Sequence, residues 1–235
     1  MKSLTTIRVG GVALVVGAVA FMAVFSFLAA RFDYPAVLDG PAHTVLPRLL
    51  ATGTVGRAAW ALYAVLPLIW LPAGVAAYSA LRRFYPGAML LALQWAVLAA
   101  VTMMLGLMRW PSVHWHLAQL QATAPADQQP VIAAIFDGLN TYLGNYIGEF
   151  LGELSFSAFF LLSSWALLRS RTTSAWVAWV GLATGAAGMV GMFRNVTVAV
   201  APVAAINNYL LPLWMIIFGV VLLRHRVPEH QVTGA

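Results

Sequence analysis

The chain has 235 residues, of which 62% are hydrophobic and only 9% are charged. Soluble domains carry about 25% charged residues, so this composition excludes a soluble fold and indicates a helical membrane protein. The net charge of +6 is therefore no sign of nucleic-acid binding, and we attribute it to basic loops that set orientation in a lipid bilayer. The chain has no cysteine, which excludes disulfides, thiolate metal sites and cysteine nucleophiles.

Six apolar segments are long enough, at about 20 residues each, to cross a bilayer as helices. The first follows Lys2 and Arg8, but its apolar run is too long for a signal peptide, so we interpret it as a retained anchor. We expect an all-α polytopic protein with a single transmembrane domain over residues 1–235. The predicted spans lie near residues 9–30, 57–81, 87–108, 142–168, 175–194 and 207–223.

Basic residues are distributed unequally between the two sides of these spans. The richer side carries Lys2, Arg8, Arg82, Arg83, Arg169, Arg171, Arg224 and Arg226, and the poorer side carries Arg31, Arg48, Arg57, Arg109 and Arg194. Because the side with more Lys and Arg usually faces the cytoplasm, we predict that both termini are cytoplasmic.

Two long connections on the predicted outer side have helical periodicity of their own. Residues 44–51 and 131–139 place apolar groups at helical spacing, so we expect short helices on the membrane surface. The stretch QATAPADQQP, between the third and fourth spans, has no periodicity and is predicted to be a linker.

Two glutamates interrupt the fourth predicted span. Asn145, Glu149 and Glu153 repeat every four residues and therefore share one stripe of a helix. Carboxylates inside a bilayer are costly and usually face a cavity or a pathway. Glycines form a neighbouring stripe and a second stripe on the fifth span, and such stripes allow close helix packing. These glycines are Gly144, Gly148, Gly152, Gly181 and Gly185.

The turn between the fourth and fifth spans is short, so residues of these antiparallel neighbours can be compared by depth. Glu149 is then level with Asn195 and beside Arg194, about 10 Å inside the outer end of its helix. Glu153 lies about 16 Å inside, level with Gly191, where no partner is expected.

Arg109 of the third span is a second candidate partner for Glu149. With Glu153 near the midplane and Glu149 one turn away, we expect the two carboxyls to hold one proton between them at neutral pH.

His114 and His116 follow the third span in the stretch WPSVHWHLAQ. An H-x-H pair suits a metal in an extended segment, whereas on a helix the two rings diverge. A zinc site needs three or four ligands, so His43, Asp137 or Glu149 would have to complete it. The flanking tryptophans favour an ordinary interfacial segment instead, and no signature identifies a cofactor.

The stretches RFDYPAVL, RWP and YLGNYIGEFLGEL, which cover the ends of spans one and three and the start of span four, resemble a known family. It is a family of small six-helix bacterial membrane proteins grouped as a domain of unknown function. The resemblance implies six helices and a multi-pass location in the bacterial inner (cytoplasmic) membrane. It implies no catalytic residue and no substrate.

Our leading hypothesis is an outward-facing polar pocket between spans three, four, five and six, with Glu149 and Glu153 at its floor. The pocket would bind a small lipophilic or cationic ligand, as part of a carrier or a sensor. The predicted ligand-binding residues are Asn145, Glu149, Glu153, Arg109, Arg194, Asn195 and Asn207.

Two alternatives belong to other classes. In the first, the protein is an intramembrane enzyme for a lipid-soluble substrate, with Glu153 as acid and Glu149 as base, with or without a metal at the histidines. In the second, it is an accessory subunit of a homo-oligomer or larger membrane complex, in which the glycine stripes pack against partner helices. A closed pocket lined by the glutamates favours ligand binding or catalysis, whereas a glycine face open to lipid favours the subunit.

Overall fold

The computed structural model describes residues 2–225 and contains six helices long and apolar enough to cross a membrane in that part of the chain. The prediction of an all-α protein with six spans is therefore confirmed. Arg226, which was counted in predicting the orientation, lies outside the described residues. The spans are Leu4–Phe32, Gly53–Leu81, Pro86–Thr123, Gln129–Ser170, Ala175–Asn195 and Val198–Leu223.

Several spans contain more than one helical segment. The α-helices are α1 (Lys2–Phe32), α2 (Ala42–Ala51), α3 (Gly53–Val65), α4 (Trp70–Leu81), α5 (Pro86–Met108), α6 (Trp115–Thr123), α7 (Gln129–Leu139), α8 (Gly152–Ser170), α9 (Ala175–Gly191) and α10 (Ala201–Leu223). Two wider π-helical segments, Trp110–His114 and Asn140–Leu151, extend the third and fourth spans. Short 3₁₀ turns cover Ala36–Asp39, Leu66–Ile69, Met192–Asn195 and Val198–Val200.

A turn that contains a proline divides the second span near its centre. Its 3₁₀ turn, Leu66–Ile69, joins α3 to α4 and contains Pro67, which lacks the backbone N–H that a continuous α-helix would use. Trp70 begins α4 directly after this turn and is fully buried. The break therefore places a large aromatic side chain inside the bundle.

The six spans form a closed ring in chain order. Helix α1 packs on α4, α4 on α5, α5 on α8, α8 on α9 and α9 on α10, and α10 returns to pack on α1. Spans that follow each other in the chain are therefore neighbours, and contact between the first and the last span completes the ring. A ring of this kind surrounds a central axis, so side chains from all six spans can reach the same interior volume.

Two apolar clusters fill the ring at different heights. The clusters share the flanking side chain of Phe21. The first cluster holds Trp70, Phe159 and Trp214, and it lies towards the side of the chain termini. The second holds Trp60 and Trp110 and lies towards the opposite side, which we call the loop side and which carries residues 33–52 and 109–140.

The long loops are helical, as predicted, and they cover the loop side. Helix α2 packs on α6 and α7, and its buried side chains Val45, Leu46 and Leu49 belong to the second cluster. Helix α7 continues without a break into the fourth span, so the segment 131–139 extends that span. Packed helices thus cover part of the loop side.

On the opposite side, the end of the sixth span lies near the turn between the second and third spans. Burial and the guanidinium of Arg83 hold the pKa of His225 below its usual value. The cytoplasmic location of this side remains a prediction based on its basic residues.

Candidate functional site

A cavity of about 220 Å³ lies inside the ring, between the two apolar clusters. All six spans contribute to its walls, together with Tyr34 and Leu38 from the loop after the first span. The sequence predicted a pocket between the third, fourth, fifth and sixth spans. The first two spans also line the cavity because the ring is closed. The hydropathy pattern of the sequence does not predict this closure.

The fourth span supplies both glutamates from two kinds of helix. Glu149 lies in the π-helical segment Asn140–Leu151, whereas Glu153 lies in the first turn of α8. The regular α-helical stripe expected from the sequence therefore does not extend through this region. Segments of π-helix are rare and are frequently found at functional sites, and both glutamates line the cavity.

Glu153 is the most deeply buried of the acidic groups in the cavity, with 3% of the residue exposed. Its carboxylate forms an ion pair with Arg194 and accepts a hydrogen bond from Asn207 Nδ2 at 3.3 Å. Gly191 lies opposite, where a Cβ atom would approach Glu153 Oε1 to 3.1 Å. Glu153 thus lies beside Gly191, the residue that the comparison by depth placed level with it.

The expectation that Glu153 has no partner is wrong. Arg194 lies in the 3₁₀ turn at the end of the fifth span, and its long side chain reaches the carboxylate of Glu153. The comparison by depth placed Cα atoms, and an arginine side chain extends by more than one helical turn of about 5.4 Å. The expected pairing of Arg194 with Glu149 is wrong for the same reason.

Glu149 is half-buried and is held by an amide. Asn195 Nδ2 donates to Glu149 Oε2 at 2.8 Å and also to the carbonyl oxygen of Asn145 at 3.1 Å. Glu149 therefore contacts Asn195, the residue that the comparison by depth placed level with it. Glu149 forms no ion pair with any residue between 2 and 225.

Arg109 is a buried cation at the cavity wall, with 4% of the residue exposed. Its Nε donates to Asn140 Oδ1 at 3.1 Å, and its Nη1 donates to the carbonyl oxygen of Gly106. The guanidinium also lies over the Trp110 ring, 5.1 Å from its centroid. A side chain at position 144 would overlap this guanidinium, so Gly144 is required by the position of Arg109.

Asn140 is a site residue that the sequence analysis missed. It is buried, and its Nδ2 donates to the carbonyl oxygen of Leu38 at 3.0 Å while its Oδ1 holds Arg109. One amide thus connects the third span, the fourth span and the loop after the first span. The available signal was an asparagine at the border of an apolar helix, beside the more conspicuous Asn145.

Aromatic side chains form the wall of the cavity on the loop side. Tyr34 makes edge-to-face contacts with Phe25, Trp60 and Tyr63, with ring centroids 5.2, 5.5 and 6.0 Å apart. Tyr34 is also within electrostatic range of the charged groups of the cavity. Burial, and then the carboxylate of Glu149, raise the pKa of the Tyr34 hydroxyl, so this group is a neutral hydrogen-bonding side chain.

The two histidine side chains have different surroundings. His114 is fully buried, and its ring centroid lies 4.8 Å from that of Trp110 and 4.6 Å from that of Phe136. His116 is exposed. Residues 2–225 contain no group of three His, Asp or Glu side chains that could hold a metal ion. The metal hypothesis therefore gains no ligand from this part of the structure and stays a prediction.

The glycine stripes lie inside the protein. Gly148 meets Gly106 on α5, and Gly152 meets Met103 on the same helix. Gly181 packs against Ser164 and Trp214, and Gly185 packs against Leu161. These glycines allow the spans of one chain to approach each other, so the glycine faces are not open to lipid.

The ring and its cavity define a class of protein: a polytopic helical membrane protein with a charged cavity among its spans. A family model described as a domain of unknown function, DUF4386, matches residues 9–222. The chain belongs to this family, which confirms the resemblance to an uncharacterised domain family. No curated protein and no solved structure matches the chain.

Proposed function

We propose that this membrane protein binds a small ligand in the central cavity, which opens to the outer side, and acts as a carrier or a sensor. The observation that carries the proposal is the composition of the cavity. A space of about 220 Å³ is lined mainly by apolar and aromatic side chains, and two carboxylates and two guanidiniums converge on it. Ligand sites are typically apolar concavities with a few placed polar groups.

The size of the cavity limits the ligand to a small molecule. An apolar cavity of about 150 Å³ accommodates benzene, so a cavity of this volume suits a compound slightly larger than a single ring. The aromatic walls favour a lipophilic body, and the charged groups favour a polar head.

Buried polar atoms on the cavity residues support ligand binding. Trp70 Nε1, Trp110 Nε1 and Asn207 Oδ1 have no hydrogen-bond partner among the described residues, and all three side chains line the cavity. Buried polar groups normally have partners, because an unsatisfied donor or acceptor costs about 1–3 kcal/mol. A ligand with both donor and acceptor groups would supply them.

The packing of the glycines distinguishes this proposal from an accessory subunit. The subunit hypothesis needs glycine faces that are free to contact a partner, but the five predicted packing glycines contact other helices of the same chain. Catalysis by Glu153 as the acid and Glu149 as the base is disfavoured by the ion pair, since Glu153 already interacts with Arg194.

Cysteine accessibility tests the proposal, because the chain has no cysteine of its own. Leu107 lines the cavity, and Leu105, on the same helix, is 46% exposed on the outside of the bundle. We expect Leu107→Cys, but not Leu105→Cys, to react with a membrane-impermeant anionic methanethiosulfonate added to sealed cells. Benzyl alcohol or benzyltrimethylammonium should protect the reactive variant.

Two results would contradict the proposal. If Leu107→Cys does not react from outside, the cavity is not open to the outer side. If it reacts but neither probe slows the reaction, the cavity is a water-filled space and no binding site for compounds of this size.

A further inference from the structure

Arg109 and Glu149 are opposite charges that line the same cavity without pairing with each other. No nitrogen of Arg109 lies within 4.0 Å of a Glu149 oxygen, since neither residue takes part in an ion pair within the described residues. Each is held by a neutral amide instead: Arg109 by Asn140 Oδ1 at 3.1 Å, and Glu149 by Asn195 Nδ2 at 2.8 Å. The two charges are therefore fixed apart.

This separation is unusual for a membrane interior. Opposite charges attract more strongly where the effective dielectric is low, and a buried charge without a partner is costly. The same cavity contains the Glu153–Arg194 ion pair, so direct pairing is possible in this fold. Asn140 and Asn195 oppose a second pair by holding Arg109 and Glu149 in place.

From this arrangement we infer that the ligand is a small zwitterion, whose carboxylate binds Arg109 and whose ammonium group binds Glu149. The inference rests on the proposed function, because it names the ligand class of the same cavity. Arginine presents its donors in a planar fork suited to a carboxylate, and Nη2 takes part in neither hydrogen bond described above. A quaternary or primary ammonium group would complete the opposite end.

The surroundings of Glu149 suit an ammonium group. The Tyr34 side chain lies within electrostatic range of Glu149 and lines the cavity beside Tyr63. Aromatic faces attract cations, most strongly where water is excluded, and aromatic cages recognise quaternary ammonium groups. A trimethylammonium group would thus meet a carboxylate and aromatic rings together.

Charge balance separates a zwitterion from a simple cation or anion. Arg109, Arg194, Glu149 and Glu153 have a formal sum of zero when all four are ionised. A monocation or a monoanion would leave one uncompensated charge in the membrane interior. A zwitterion carries none, and its dipole is matched by the fixed dipole from Arg109 to Glu149.

Four probes of the same shape test the inference by calorimetric titration of the purified full chain. They are γ-trimethylammonio-butyrate, its primary amide, the carboxylate with tert-butyl in place of trimethylammonium, and the primary amide of that carboxylate. The first is a zwitterion, the second a cation, the third an anion and the fourth neutral. We expect the zwitterion to bind at least about tenfold more tightly than each of the others, because each lost charge contact is worth this much.

Two variants assign the contacts. Glu149→Gln should remove the preference for the zwitterion over the anion, and Arg109→Gln should remove its preference over the cation. Because Arg109 is buried and its substitution can prevent folding, the comparison of probes on the wild-type chain is decisive by itself. Glu149 is half-buried and exchanges to glutamine at nearly constant volume.

The inference is overturned if the cation, the anion or the neutral amide binds as tightly as the zwitterion, or if none of the four binds. These outcomes differ from failure of the proposed function. If none of the four probes binds but benzyl alcohol or benzyltrimethylammonium protects Leu107→Cys, the cavity is a ligand site for another chemical class. If no compound protects that cysteine, the ligand site itself is refuted.

Discussion

The ion pair between Glu153 and Arg194 provides the sharpest test of the site geometry. Glu153→Gln keeps the shape of the side chain and its hydrogen bond from Asn207, but it removes the negative charge opposite Arg194. Breaking a fully buried ion pair costs about 3–5 kcal/mol. The side chain of Arg194 is 27% exposed and can turn towards water, so we expect about 2–3 kcal/mol of destabilisation.

The reciprocal substitution should be more harmful. Arg194→Gln leaves the carboxylate of Glu153, which is almost completely buried, without its cation, and we expect a loss of about 3–5 kcal/mol. The double variant has no unpaired charge and should be more stable than Arg194→Gln alone. The coupling energy from the double-mutant cycle should therefore exceed the cost of Glu153→Gln alone and reach about 3 kcal/mol.

Unfolding by sodium dodecyl sulfate in mixed micelles would measure these differences. Asp137→Asn is a matched control, because Asp137 is an exposed carboxylate on α7 and its exchange should change stability by less than about 0.5 kcal/mol. A coupling energy near zero, or a Glu153→Gln variant more stable than wild type, would refute the reasoning. Glu153 would then be a neutral acid that Arg194 does not stabilise.

Two further predictions concern packing, and the same assay measures both. Gly148→Ala should destabilise the protein by about 1–3 kcal/mol, since its Cβ would lie 2.9 Å from Gly106 Cα. Gly138 has open space around it, so Gly138→Ala should be neutral or stabilising by about 0.5–1 kcal/mol. Equal effects of the two substitutions would show that the close helix contact is absent. Trp60→Ala should lower the stability by about 3–5 kcal/mol, because this ring is fully buried and stacks on Trp110. Trp176 is 62% exposed, so Trp176→Ala should lower the stability much less. Similar losses of stability would contradict the burial of Trp60.

The number of spans could be predicted from the sequence because it depends on local properties. A run of about 20 apolar residues must form a helix in a bilayer, whatever it packs against. The antiparallel hairpin of the fourth and fifth spans was equally predictable, since a short turn leaves little choice. It placed Glu149 level with Asn195 and Glu153 level with Gly191.

The closure of the ring and the path of the long side chains were not predictable in this way. Packing of α10 on α1 joins the two ends of the chain, and no local pattern encodes it. The depth comparison treated Arg194 as a point at its Cα atom, although its guanidinium reaches Glu153. Tyr34 was also missed. A tyrosine directly after a span is common at membrane interfaces, and the sequence does not show that this loop folds into the bundle.

Three of the four charged groups in the cavity have a hydrogen bond to an asparagine side chain. Asn140 holds Arg109, Asn195 holds Glu149 and Asn207 donates to Glu153. Asparagine amides stay neutral across the physiological pH range, so their hydrogen bonds can hold the ionisable groups in place without adding charge to the cavity. Direct ion pairs would bring opposite charges into contact, whereas these amide contacts hold Arg109 and Glu149 without an ion pair between them.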